Sequence, residues 1–247
     1  MADARGAGLR LGATWGLDFP GPADGRSFVA MGGELLAGAP GDGGQDVPGS
    51  SGPGLPRPLD YLVVAHEASD AAPAGLVAGF LADACPGEPR AFSVADQGIG
   101  APFSGLKVLD RIHRGGGPVD AALFVLDPAA GAVLVLGGTG GWGLESVAEE
   151  RVGEPAGDVA DCLPLLGAAP RTAYVLGDGL REPSGALEEA GATVRTAGAG
   201  HGCAGVWRAL RGALADAAEE GAERLVVADR DRRLGRLHLA VFARPGE

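Results

Sequence analysis

The sequence predicts an α/β fold whose two halves repeat one another. One order of elements occurs twice: strand, glycine elbow, amphipathic helix, strand, short turn, strand. Hydrophobic residues make up 46% of the chain and aromatic residues only 5%, so Val, Leu and Ala must fill the core, which suits α/β layers. The 247 residues allow one compact unit. We divide it into an N-terminal half at residues 1–150 and a C-terminal half at residues 151–247.

The first elements precede the first elbow. Residues 8–19 predict a strand that runs into a turn, and the apolar run at 59–66 has the length of a strand. Between them, residues 37–58 are rich in Gly, Pro and Ser and predict a flexible loop. Residues 74–85 place apolar side chains at helical spacing, which predicts a helix with one buried face.

The stretch at 91–112 organises the first half. A short β-type run meets the elbow DQGIG, and an amphipathic helix follows with Pro102 in its first turn. In such a strand–elbow–helix the elbow side chain lies beside backbone N–H groups that can stabilise an anion. Nucleophiles belong at this position, but here it holds Gln97, whose amide only donates and accepts hydrogen bonds.

Two buried strands are predicted after this helix, at 119–126 and 131–136. Their short connection favours antiparallel pairing. The following GGTGGWG at 137–143 lacks the Lys-Ser/Thr ending of a phosphate loop and is interpreted as a solvent turn.

The second half repeats the pattern. Helices are predicted at 158–166 and 184–190, and strands at 171–176 and 192–196. A second elbow at 198–202 leads into a long amphipathic helix that ends near residue 220. Strands at 225–228 and 237–242 complete the chain, separated by the charged turn DRDRRLGR, which is expected to be solvated.

Composition excludes several functions. The net charge is −12 and Lys107 is the sole lysine, so nucleic acid and anionic membranes are disfavoured as partners. No apolar run is long enough to span a bilayer and the N-terminus lacks a signal-peptide core, so a cytoplasmic location is expected. Three cysteines without CxxC spacing predict neither a disulfide framework nor a zinc site, and no metal or cofactor is expected.

Four segments resemble the thiolase-like β-ketoacyl synthases. SVADQGIGAPFSGL is similar to the region around their active cysteine, with Gln97 at the cysteine position. FVLDPAAGAVLVL resembles two strands of that family joined almost directly: the strand after the nucleophile helix and the strand that carries the GEGA-type motif. TAYVLGDG resembles the first-histidine motif and places Asp178 at the histidine, while AGAGHGCAGVWRAL resembles the second and places His201 there. The resemblance implies a shortened, duplicated fold in five layers, α-β-α-β-α.

The replaced residues resemble those of chain-length factors, which are non-condensing subunits that pair with an active ketosynthase. Gln97 cannot carry an acyl group, and an ionised Asp178 would repel a malonyl carboxylate. Decarboxylating ketosynthase domains also carry glutamine at the nucleophile but retain both histidines. The chain lacks the family's insertions, its terminal glycine-rich turn is replaced by DRDRRLGR, and no lysine precedes His201.

Each candidate residue also has a structural interpretation. Gln97 can cap the elbow, Asp178 can fill a strand-end turn, and His201 can bond nearby backbone at a helix start. Cys203 lies two residues from His201, but side chains two apart at a helix start point in different directions, which argues against a Cys–His nucleophile.

The leading hypothesis is a catalytically silent ketosynthase-like subunit of polyketide or fatty-acyl biosynthesis. It would form a heterodimer with an active ketosynthase and shape its acyl pocket, and an acyl carrier protein would dock through that partner. One alternative is a malonyl-thioester decarboxylase that uses Gln97 and His201. The other is a stand-alone acyl-binding or scaffold protein.

Overall fold

Ten β-strands form a single sheet in a computed structural model, which describes residues 8–19, 27–38, 55, 58–67, 75–85, 87–116, 119–138, 141–152, 159–167 and 169–244. The sheet order is β3-β2-β4-β5-β1-β6-β10-β9-β7-β8. The strands are β1 (Arg10–Asp18), β2 (Tyr61–His66), β3 (Arg90–Val94), β4 (Ala121–Asp127), β5 (Ala130–Gly137), β6 (Trp142–Arg151), β7 (Thr172–Leu176), β8 (Thr193–Thr196), β9 (Arg224–Asp231) and β10 (Arg236–Ala243).

Six α-helices lie within the described ranges, and short 3₁₀ turns precede α3, α4 and α6. The helices are α1 (Phe28–Ala37), α2 (Gly75–Ala84), α3 (Ala101–Gly116), α4 (Leu163–Leu166), α5 (Ser184–Glu189) and α6 (Gly205–Glu219). Helices α3 and α6 each follow a glycine elbow, at the same place in the two halves. Helix α1 is capped by the Ser27 hydroxyl, which accepts the Ala30 N–H.

The duplication predicted from the sequence is confirmed by the strand pairing. In the first half β2 is parallel to β3 and β4, while β5 is antiparallel to β4 and β1. In the second half β7 is parallel to β8 and β9, while β10 is antiparallel to β9 and β6. Both halves therefore order their strands third, second, fourth, fifth, first. They join where β1 and β6 pair over two residues, Arg10 with Gly143 and Leu11 with Trp142.

The layers follow from which side of each strand faces which helices. Along β4, Leu123 and Val125 face a central core built around α3 and α6, while Phe124 faces an outer core beneath α1 and α2. Along β9, Val227 joins the central core and Val226 an outer core beneath α4 and α5. The layer order is therefore α-β-α-β-α, as expected.

Two elements were absent from the sequence-based prediction. Helix α1 was not foreseen, and β6 begins within the segment interpreted as a solvent turn. Strand β6 pairs with β10 along its length, and the predicted division between residues 150 and 151 falls at its end. Most of the predicted loop at 37–58 lies outside the described residues.

The prediction for DRDRRLGR is wrong in its first part. Strand β9 continues through Asp229, Arg230 and Asp231, and all three are buried, with at most 9% of each residue exposed. Only residues 232–235 form the turn to β10. Tertiary packing has overridden the preference of charged side chains for water, and the cause lies in the site described below.

None of the helices within the described part of the chain is long and apolar enough to cross a membrane.

Candidate functional site

The two glycine elbows contact each other and border one cleft of about 700 Å³. At the first elbow Gln97 has φ −110° and ψ 18° and leads through a 3₁₀ turn into α3. At the second elbow His201 has φ −101° and ψ 16° and leads through a 3₁₀ turn into α6. Gln97 and His201 thus occupy equivalent places in the two halves. The structure brings both of them and Asp178 to the same cleft.

The elbows require unusual backbone conformations. Asp96 has φ +59° and Gly98 has φ +55° at the first elbow, and Gly202 has φ +40° at the second. An aspartate tolerates the left-handed region better than most residues with a Cβ, and glycine adopts it without strain. These residues turn the chain sharply, so the elbow side chains lie at the carboxyl ends of the parallel strands.

Gln97 is anchored by the first turn of α3. The Ser104 hydroxyl donates a hydrogen bond of 2.5 Å to the Gln97 Oε1 atom. The amide oxygen is thereby used within the chain, and the amide NH₂ is the part of this side chain that can donate to a ligand.

Asp178 begins the turn after β7 and pairs with an arginine of the same turn. Its carboxylate lies 2.6 Å from the Arg181 Nε atom, and 57% of its side chain is exposed. The glycines on either side permit close approach of β9, since a Cβ on Gly177 would fall 1.9 Å from the Asp229 Cγ atom. Asp178 therefore combines a turn position with a charge that faces the cleft.

His201 lies at the other wall of the cleft, near the end of β1. Its Nε2 atom is 3.6 Å from the Asp18 carboxylate, which also pairs with Arg208. The His201 Nδ1 atom is buried and has no hydrogen-bond partner among the described residues. The ring is thus held on one side only.

Cys203 is not placed to act as a nucleophile. Its residue is 1% exposed, and its Sγ atom points to the Leu126 backbone oxygen at 3.5 Å. Burial, with the nearby charges of Asp127 and Glu67, raises the pKa of this thiol well above its usual value. A thiolate does not form there near neutral pH, so a Cys–His pair with His201 is unsupported.

Four carboxyl groups that the sequence analysis did not single out lie at or beneath the cleft. They are Glu67 after β2, Asp127 at the end of β4, and Asp229 and Asp231 at the end of β9. Asp127 and Asp231 each lie against the elbow of the other half. A Cβ on Gly202 of the second elbow would fall 2.0 Å from Asp127 of the first half, and one on Gly98 would fall 2.8 Å from Asp231 of the second.

Glu67 connects the two halves at the centre of this arrangement. Its carboxylate accepts a hydrogen bond from the backbone N–H of Cys203, at the start of α6. The anion-stabilising position at the second elbow is therefore already occupied by a carboxylate of the chain itself. This contact was not predicted, although an acidic residue directly after the apolar run LDYLVVAH was a visible signal.

Burial raises the pKa values of three of these acids, Glu67, Asp127 and Asp229. The pKa of Glu67 is raised by burial and then by Asp127 and Asp231, and that of Asp127 is raised mainly by burial. Burial, with Asp178 and Glu67 nearby, raises the pKa of Asp229 to about 7. Asp229 is therefore partly protonated near neutral pH.

His238 supports the first elbow from below. Its ring stacks on Phe103 with centroids 5.5 Å apart, and a Cβ on Gly100 would fall 2.5 Å from its Cε1 atom. Burial lowers the pKa of His238, although Asp231 opposes this effect. The neutral ring fills space between β10 and the elbow.

The chemistry available in the cleft is limited by its lining. Among the described lining residues none carries a thiol, hydroxyl or amine, and the polar groups are carboxyls, the Gln97 amide, the His201 ring and three arginines. No group of three or more His, Cys, Asp or Glu side chains in the described ranges is placed to hold a metal ion. The site can donate hydrogen bonds and exchange protons, but it offers no side chain that would form an acyl ester or thioester.

No protein-family model matches the sequence, and no curated protein matches it. Solved structures share its fold. The tetronic acid condensing enzyme AbyA1 has a TM-score of 0.66 at 16% identity, over 94% of this chain and 99% of that chain. ChlB3, titled an acyltransferase, has a TM-score of 0.61 at 16% identity, over 96% and 98%. A fungal type III polyketide synthase, ORAS, has 0.56 at 10% identity, over 77% and 74%. The fold is thus thiolase-like, as the sequence predicts.

Proposed function

We propose that this chain is a catalytically silent ketosynthase-like subunit. It pairs with an active β-ketoacyl synthase of polyketide or fatty-acyl biosynthesis and shapes or stabilises the acyl pocket of that partner. The similar structures include proteins titled as a condensing enzyme, an acyltransferase and a polyketide synthase, which supports this biosynthetic context. The proposal extends that context to a chain whose own site lacks the reactive group.

The observation that carries the proposal is the residue at the first elbow. Gln97 occupies the position where the strand–elbow–helix presents a side chain to the cleft, and Ser104 holds its amide oxygen. An amide cannot form the thioester that condensation requires. Cys203, the nearest candidate in sequence at the second elbow, is buried beneath the cleft.

The electrostatics of the cleft also disfavour condensation. A malonyl group brings a carboxylate, and its decarboxylation produces an enolate, so the site should supply positive charge or hydrogen-bond donors. Here Glu67 already accepts the N–H of Cys203, and Asp178 and Asp231 add negative charge. Arg232 and Arg233, which are exposed at the rim, offset part of this charge.

Pairing is supported by the free edge of the sheet. Strand β3 is the outermost strand on the side of the first elbow, and within the described ranges β2 is its one neighbour in the sheet. An unpaired strand edge is a template for strand addition from another chain. Since β3 leads directly to Gln97, a partner on this edge would lie close to the first elbow. The elbow could then shape the acyl pocket of the partner.

Co-purification tests the proposal. Each ketosynthase encoded near this chain is tagged and co-expressed with it, and the eluate is analysed by light scattering. We expect a stable one-to-one complex. Ser93→Pro, on the edge strand β3, should weaken the complex. Ser146→Pro, on the internal strand β6, should instead impair folding. A monodisperse monomer that binds no ketosynthase contradicts the proposal.

The decarboxylase alternative retains one supporting observation, because Gln97 and His201 do line the same cleft. It predicts carbon dioxide release from a malonyl thioester by the isolated chain, lost in Gln97→Ala. The silent-subunit proposal predicts no release by either protein. A thermal shift with non-malonyl acyl thioesters separates a stand-alone acyl-binding role from both.

A further inference from the structure

A basic groove lies at the seam between the two halves, on the side of the molecule opposite the cleft. It is formed where the first residues of β1 and β6 pair and the end of β10 runs beside them. Helix α3 begins at the cleft and ends at the groove, and its 16 residues span about 24 Å. The groove has a volume of about 350 Å³. Its lining is Gly8, Arg10, Arg114, Gly143, Leu144, Glu145, Ala243 and Arg244.

The charge of the groove is opposite to that of the chain. Three of its lining residues are arginines and one, Glu145, is acidic, whereas the whole chain carries a net charge of −12. A fourth arginine, Arg224, reaches Glu145 from β9 at 3.2 Å. Local positive charge on an acidic protein attracts anions.

Two of the three lining guanidinium groups, those of Arg114 and Arg244, are held by neighbouring groups. Arg244 lies over the Trp142 ring, with its Cζ atom 5.2 Å from the centroid. Arg114 is held by the Asp110 carboxylate at 2.8 Å and donates to the Glu145 backbone oxygen at 3.3 Å. Immobilised, planar guanidinium groups lose little entropy when they bind an oxyanion through paired hydrogen bonds.

The floor of the groove is bare backbone. A Cβ on Gly143 would meet only the Ala243 oxygen, at 3.8 Å, so the space above this glycine is open. A Cβ on Gly8 would fall 2.9 Å from the Leu144 oxygen, so the two strands approach closely beneath it. A small ligand can therefore enter between the arginines and rest on the strands.

We infer that this seam groove binds the phosphate groups of a small phosphorylated molecule. The volume suits one or two phosphates with a short attached group, whereas an acidic protein surface would need a broader basic face. Arg10, Arg114 and Arg244 would contact the phosphate oxygens, and Arg224 would keep Glu145 paired and away from them. The inference does not depend on the function proposed for the cleft.

Calorimetric titration with inorganic pyrophosphate tests the inference on the whole chain. We expect saturable binding of one pyrophosphate per chain, weakened about tenfold or more in Arg114→Gln, since each charge-assisted contact contributes strongly. Gly143→Leu leaves the charge unchanged, and because its side chain fills the groove it should weaken pyrophosphate binding as much as Arg114→Gln does. Arg181→Gln removes the same charge from the partner of Asp178, which lines the cleft, and this variant should bind as the wild type does.

Three results would overturn the inference. The first is no binding at millimolar pyrophosphate. The second is that Arg181→Gln weakens binding as much as Arg114→Gln does, which would place the anion at the cleft. Unchanged binding in both Arg114→Gln and Gly143→Leu would also overturn it. Arg114 is exposed, so loss of folding is not expected in its variant, and a thermal melt of each protein verifies this.

Discussion

Replacing Asp229 by asparagine should make this protein more stable at alkaline pH. Asp229 is 4% exposed at the floor of the cleft and accepts the backbone N–H of Arg230. The charged groups that face it are Asp178 on the turn after β7, Glu67 after β2, and Asp231 on its own strand. Asparagine has nearly the same shape and its Oδ1 atom can accept the same hydrogen bond, so the substitution removes the charge and little else.

The expected magnitude follows from the pKa. Folding raises the pKa of Asp229 from 3.8 to about 7, so between these values the folded chain binds a proton that the unfolded chain has released. The wild type therefore loses stability as pH rises from about 4 to about 7, and the loss is complete above that. At about 1.4 kcal/mol for each pH unit between the two values, it amounts to about 4 kcal/mol.

Urea denaturation of both proteins at pH 5, 7 and 8.5 measures this difference. We expect the variant to gain about 1.6 kcal/mol at pH 5, where the unfolded wild type has already released this proton, and about 4 kcal/mol at pH 8.5. Asp83→Asn, at an exposed position on α2, is the matched control and should change stability by less than about 0.5 kcal/mol at every pH. Equal stability of Asp229→Asn and the wild type at pH 8.5 would refute a buried, charge-disfavouring site.

Two further substitutions or treatments follow from the same packing. In urea denaturation, Gly100→Ala should destabilise the chain by about 1 to 3 kcal/mol because its Cβ would strike the His238 ring. Gly79→Ala, on the open side of α2, is the control and should stabilise the chain by up to about 1 kcal/mol. Equal effects of the two substitutions would contradict the packing of the elbow on His238. Native Cys203 should resist iodoacetamide at pH 8 and react after unfolding in urea, and rapid native labelling would show an accessible thiolate.

Much of the fold could be predicted because the elements of each repeated half are encoded by short segments of sequence. Helix α6 was expected to end near residue 220 and ends at Glu219, and the strand before Gln97 was expected at 91–95 and lies at Arg90–Val94. Apolar periodicity and glycine elbows are properties of short segments, so no knowledge of the partner strands is needed to read them.

The missed elements depend on contacts between distant segments. Strand β6, WGLESVAEER, is half polar because its outer residues are exposed, and only its pairing with β10 makes it a strand. Helix α1 contains two glycines, and its buried residues, such as Met31 and Leu35, are stabilised by the outer core rather than by helix propensity.

The candidate site was predicted in its positions more than in its chemistry. The elbows and the strand-end turn identify Gln97, Asp178 and His201, and all three line the cleft. The acidic interior was missed because a charged run such as DRD is ordinarily solvated. Asp231 is buried because the end of β9 packs against Gly98 of the first elbow, and Asp229 is buried against Gly177 after β7. Neither contact is visible within a single segment of sequence.

Intact-mass spectrometry after incubation with an acyl thioester shows whether Gln97, at the place of a nucleophile, leaves this chain unable to bond to an acyl group. We expect the wild type to keep its mass at neutral pH, with and without a malonyl thioester as second substrate. A covalent acyl adduct on the wild-type chain would contradict it.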